Sequence, residues 1–116
     1  MFIATLIVSL LLALALLSSA SGKLTKKPAV IEQITAVGVP ADKIPLLGYL
    51  EIAGALGLIA GLFWWPIGVA AAIGVILYFL GAVISHLRVK DVKGSAPAAA
   101  LALVAVAALV LRLLSI

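Results

Sequence analysis

Four long apolar runs, at residues 2–20, 46–65, 67–87 and 96–114, constrain this 116-residue chain more than any other feature. A helix rises about 1.5 Å per residue, so about 20 residues cross a hydrocarbon core of about 30 Å. Hydrophobic residues make up 66% of the sequence and charged residues 10%. A soluble domain has roughly 45–50% and about 25%. No soluble fold hides that much apolar surface in so short a chain. The expected fold is therefore all-α: an integral membrane four-helix transmembrane bundle, forming a single domain over residues 1–116.

The first run ends in Ser18-Ser19-Ala20, which resembles a leader cleavage site. Such leaders begin with a positive segment. Here no Lys or Arg precedes Lys23, so the run is expected as a retained helix.

The three connections differ in kind. The first, residues 21–45, is long. Pro28 suits the start of a short helix and Gly38 its end. Between them Val30, Ile31, Ile34 and Val37 recur at helical spacing, with Glu32, Gln33 and Thr35 elsewhere. This predicts a short amphipathic helix in the membrane interface between the first two spans. The second connection, Phe63-Trp64-Trp65-Pro66, is tight and uncharged, with indole rings suited to the headgroup region. Pro66 suits the first helical position, where no N–H is needed. The third, residues 88–95, carries Arg88, Lys90, Asp91, Lys93 and Gly94.

Counting Lys and Arg by side gives a direction. Connections one and three share a side and hold Lys23, Lys26, Lys27, Lys43, Arg88, Lys90 and Lys93, seven of the eight. Arg112 alone lies on the other side, where it is expected to snorkel to headgroups. By the positive-inside rule those connections are cytoplasmic and both termini extracytoplasmic. The net charge of +4 reads as topology and contact with anionic lipid. No basic recognition helix, stacking platform or other motif points to nucleic acid.

The absence of cysteine excludes a disulfide, a thiolate metal site and dithiol chemistry carried by this chain. One histidine, His86, excludes bis-histidine haem, and His–Met ligation would need Met1, the sole methionine. No metal-ligand cluster, phosphate loop or nucleophile motif is present. Nothing in the residues identifies a cofactor of the chain's own.

Gly22-Lys23-Leu24-Thr25, Gly38-Val39-Pro40, the stretch Leu47-Gly48-Tyr49-Leu50-Glu51-Ile52-Ala53-Gly54-Ala55-Leu56-Gly57-Leu58, and Gly81-Ala82-Val83-Ile84-Ser85-His86-Leu87-Arg88 through Asp91 occur in this order. At these spacings the chain resembles the DoxX-like family of small four-helix bacterial membrane proteins, over nearly its whole length. The resemblance implies a bacterial inner membrane. It implies less about chemistry, because such proteins include a subunit of a thiosulfate:quinone oxidoreductase, members linked to oxidative-stress complexes, and eukaryotic relatives that look like assembly factors.

An ionisable residue inside a span is a functional hypothesis by default. Glu51 lies five residues into the second span, and His86 and Arg88 leave the third span on the same side. Lys23 leaves the first span there too, and Asp91 follows in the adjacent connection. All five are expected to converge in one layer near the cytoplasmic surface. A histidine with an ordinary pKa near 6.5 beside a carboxylate can serve a quinone headgroup or an anionic lipid. The alternative is that Glu51 pairs with Arg88, His86 or Lys23 only to fix helix register. Tyr78 can bond a ligand or a backbone carbonyl.

Gly54, Gly57 and Gly61 fall within an arc of about 60°. Gly74 and Gly81 cluster similarly on the third span, and the fourth span is rich in alanine. These are expected as helix-packing faces, within the chain or in a homodimer. Three functions stay open. The first is a non-catalytic subunit or accessory protein with a quinone- or lipid-binding polar pocket. The others are a quinone-linked membrane oxidoreductase component fed by a partner, and an assembly factor for other membrane proteins.

Overall fold

A computed structural model describes residues 2–116. Met1, the only candidate partner for His86 in haem ligation, lies outside the described residues. These are 86% helical, with no strand among them. Five α-helices occur in the order α1 (Phe2–Leu24), α2 (Pro28–Ala36), α3 (Ile44–Ala60), α4 (Trp65–Arg88) and α5 (Val92–Leu114), with a 3₁₀ turn at Ala41–Lys43 before α3. Counting that turn with α3, four helices are long and apolar enough to cross a membrane, the expected integral membrane architecture.

Local sequence sets the breaks. α1 ends where Lys26 takes a left-handed conformation and the Lys27 N–H donates back to the Gly22 carbonyl. Pro28 opens α2, and Gly38, at φ +96°, closes it. Glycine adopts that conformation without steric cost. Along α2 and its C-cap Val37, Val30, Ile31, Ile34 and Val37 are half-buried while Glu32, Gln33 and Thr35 are exposed, the amphipathic division expected from the spacing. Pro66 lies in the first turn of α4, next to Trp65. α5 begins at Val92, four residues earlier than its apolar run. The Asp91 carboxylate accepts the Gly94 N–H at 2.9 Å and caps the helix, so the turn upstream of Pro97 stays helical.

The spanning helices form a ring. α1 packs on α3, α3 on α4, α4 on α5, and α5 back on α1. The core is small-residue helix packing around a few large side chains, among them Leu12, Leu16, Leu58, Val75 and Phe79. On α5, Ala98, Ala102, Ala105 and Ala108 face inward while Leu103, Val104, Val106 and Val110 face outward. Small residues inside and large ones outside suit a bundle whose outer solvent is lipid, because backbone approach and dispersion, not water exclusion, then favour association.

The α3–α4 contact is close. Gly61 and Gly68 meet backbone to backbone, and a Cβ on Gly61 would strike the Gly68 backbone. A Cβ on Gly57 would lie 2.7 Å from the Ala71 methyl, and one on Gly54 would lie 2.9 Å from Val75. Gly74 and Gly81 differ. A Cβ there would meet nothing within 4 Å, so neither supports the close backbone approach expected of it.

Arg112 also departs from expectation. It does not snorkel outward but is 8% exposed, with Nε donating to the Gly61 carbonyl at 2.7 Å. Its guanidinium lies over the Phe2 ring, 5.9 Å from the centroid, and also bonds Ser115. A C-terminal carbonyl of α3 has no partner within its own helix, and the guanidinium supplies one across the bundle. Thr5 donates to the Leu111 carbonyl at 2.9 Å at this same end, tying α1 to α5.

Candidate functional site

The charge-rich end of the bundle is built differently. Helices α1 and α5 are held together near Thr5 and Leu111. At the opposite end a cleft opens beside α1, α4 and α5, with α2 lying along it. The cleft is open, with a volume of about 1110 Å³. Leu77, Phe79 and Leu101 give it apolar walls, and Lys23, Tyr78 and His86 are among its polar lining.

Lys23, in the last turn of α1, reaches across to α3. Its Nζ stands 2.6 Å from Glu51 Oε1 and donates to Ser19 Oγ at 2.7 Å. Ser19 precedes Lys23 by one helical turn, which is why its hydroxyl is in reach. Glu51 is 2% exposed. A carboxylate so deep in an apolar bundle needs a compensating charge, and Lys23 is the one of the three candidate cations that provides it. Only Oε1 is paired. No hydrogen-bond partner among the described residues reaches Oε2. The Tyr78 hydroxyl is close enough to interact with the carboxylate, but its hydrogen bond goes to the Leu47 carbonyl at 3.4 Å.

His86 takes a different partner. Its Nδ1 lies 2.9 Å from Asp91 Oδ2. An ionised carboxylate only accepts, so the ring donates from Nδ1 and leaves Nε2 to engage something else. The His86 bond, and then the Gly94 N–H, hold the Asp91 carboxyl below its ordinary value of 3.8. A side chain on Gly94 would collide with both the Asp91 carboxylate and the His86 ring. This three-residue knot joins the end of α4 to the start of α5 at the mouth of the cleft.

The five residues expected in one layer are thus divided. Lys23 pairs with Glu51 and His86 with Asp91, and Tyr78 lies near the first pair. Arg88 joins neither. It is exposed and makes no ion pair among the described residues. Two residues apart on a helix do not share a face, so His86 directed inward sends Arg88 out. Ser19 and Gly94, which carried no site role in the sequence, complete the two pairs. A hydroxyl four residues before a lysine and a glycine three residues after a helix-capping aspartate were the available signals.

No group of three or more His, Asp or Glu residues that could hold a metal occurs among the described residues. The arrangement can do two things chemically. The His86 ring can exchange a proton at Nε2 while Asp91 fixes its orientation. The cleft can shelter an apolar tail beside polar head contacts.

The model of the DoxX-like family matches residues 7–109 of this sequence, nearly its whole length. No curated protein and no solved structure matches it.

Proposed function

The chain belongs to the DoxX-like family, and from that membership and the chemistry of the cleft we propose that it is a non-catalytic membrane subunit or accessory protein that holds a lipid-soluble molecule at its charge-rich end. The observation that carries this reading is the open cleft of about 1110 Å³, whose lining combines polar groups such as Lys23, Tyr78 and His86 with apolar walls. That volume is at or slightly above the roughly 300–1,000 Å³ typical of small-molecule sites. With Nδ1 given to Asp91, His86 Nε2 accepts from a hydroxyl-bearing head, and donates to an acceptor oxygen such as a quinone carbonyl or a lipid phosphate when the ring carries a second proton. Lys27 adds positive charge at the mouth. When a quinone is bound it supplies the redox chemistry, and this chain's residues would orient the head and hold a proton at His86.

The charge-rich end faces the cytoplasm in this reading, with the termini outside in the inner membrane of a bacterium. Its support is the seven-to-one division of Lys and Arg between the two ends. The native chain has no cysteine, so single cysteines at Lys27, Lys93 and Phe63 are clean reporters. A membrane-impermeant thiol reagent should label Phe63→Cys from outside and the other two only after the cytoplasmic face is opened. The reverse pattern rejects the orientation.

The ligand is tested by solvent extraction of the purified protein followed by mass spectrometry. A quinone or an anionic lipid should co-purify with the native chain and be lost from His86→Ala, with Arg88→Ala as a control that retains it. A quinone together with a redox partner would turn the reading toward an oxidoreductase component. A tightly held partner protein and no small molecule would replace it with an assembly factor.

A further inference from the structure

A second, smaller groove of about 670 Å³ lies between α3 and α4. Its walls include Leu50, Ile67 and Val75, and Glu51 and Tyr78 also line it. Glu51 lines this groove and not the larger cleft, and Tyr78 lines both. We propose that the groove is a binding site for a lipid-soluble alcohol or phenol, whose hydroxyl donates to the unpaired Oε2 of Glu51. This site is separate from the cleft of the preceding reading and does not rest on it.

Two independent observations support it. The first is the carboxylate itself. Glu51 is 2% exposed, its Oε1 is taken by Lys23, and Oε2 has no hydrogen-bond partner among the described residues. A buried acceptor without a donor is costly in an apolar surrounding, so a donor arriving from the groove gains more here than in water. The second is Gly74. It lines the groove, and a Cβ there would meet nothing within 4 Å. No neighbour requires glycine at this position. What its lack of a side chain does is keep the groove open.

The chemistry of the occupant follows from the charges. Oε1 is taken by the Lys23 ammonium, and the oxygens of a carboxylate in an ion pair accept hydrogen bonds. A quinone carbonyl or a phosphate, both acceptors, is therefore refused. A cationic head would add a charge that Lys23 has already balanced. A neutral hydroxyl satisfies Oε2 without changing the charge, and an apolar body matches the groove walls. Entry requires the Tyr78 ring to yield: its hydroxyl donates over a long 3.4 Å to the Leu47 carbonyl and also interacts with the Glu51 carboxylate that the entering hydroxyl would engage.

The test uses the full chain in detergent and two hydroxyl probes, dioctanoylglycerol and decylubiquinol, each against its O-methyl ether. At least one hydroxyl probe should bind about tenfold more tightly than its ether. Which probe does so distinguishes a lipid alcohol from a phenol. Gly74→Leu fills the groove without touching the ion pair and should weaken that binding by about tenfold. Helicity and elution volume should stay unchanged. His86→Ala, which alters the larger cleft, should leave it within about twofold. Failure of both probes to bind, equal binding of hydroxyl and ether, or binding that survives Gly74→Leu overturns the proposal. Loss in His86→Ala with survival in Gly74→Leu would move the ligand to the larger cleft.

Discussion

Lys23 Nζ stands 2.6 Å from Glu51 Oε1, so the last turn of α1 is tied to the middle of α3 by a buried ion pair. The two partners are unequal: the lysine side chain is 12% exposed and that of the glutamate 0%. Losing the lysine is therefore the more damaging change, because it leaves a charge that cannot reach water. Lys23→Met should destabilise the bundle by about 3–5 kcal/mol. Adding Glu51→Leu in the same chain should recover most of that loss, since an apolar pair needs no compensation. Thermal unfolding in one detergent reads both. A double variant as unstable as Lys23→Met would show that the pair contributes more than mutual neutralisation.

Gly61 and Gly68 set the distance between α3 and α4. Gly61→Ala places a methyl into the Gly68 backbone, which cannot rotate away as a side chain can. The helices must separate, at a cost of about 1–3 kcal/mol or more. Gly74→Ala meets open space and should stay within about 0.5 kcal/mol of the native chain. Equal effects at the two positions would refute the distinction between a close crossing and an open groove.

Arg112 is buried beside the end of α3, and its Nε is the hydrogen-bond partner of the Gly61 carbonyl. Arg112→Leu keeps the volume but leaves that carbonyl without its donor, a loss of about 1–3 kcal/mol. Arg112→Lys should restore only part of this, because an ammonium lacks the planar fork that bonds Gly61 and Ser115 together. If the arginine merely snorkelled, both variants would melt with the native protein.

The readable parts of this fold were those set by local chemistry. Apolar run length fixed the four spans, Pro28 and Gly38 bounded α2, and the depth of Glu51 in its run marked it as needing a partner. The choice of partner was not readable. Lys23, His86 and Arg88 all leave their helices at the same end, and only the rotation of α1 against α3 selects Lys23. The Arg112–Gly61 bond joins residues 51 apart in sequence, and no periodicity encodes which helix end a terminal arginine will cap. Gly74 and Gly81 looked like Gly54, Gly57 and Gly61 because composition records small residues, not whether a neighbour approaches them. Arg88 was misplaced for a simpler reason: its two-residue offset from His86 already puts it on another face.

Asp91 predicts a pH response whose sign is fixed by its bonds. The His86 ring first, and the Gly94 N–H second, favour the ionised carboxylate and hold its carboxyl below the ordinary 3.8. The folded state therefore binds the proton less readily than the unfolded chain. The resulting stabilisation is fully present above the ordinary value and is lost as pH falls through the lowered folded value. The native protein should lose stability as the pH falls below 4. Asp91→Asn removes the titrating group and should flatten that limb. His86→Ala removes the largest cause of the shift and should move the limb back toward 3.8. The side chain is 45% exposed, so salt should reduce the charge contribution while the Gly94 bond persists. Unfolding curves from pH 3 to pH 6 at low and high salt test this, and an unchanged acid limb in Asp91→Asn would show that another carboxylate carries it.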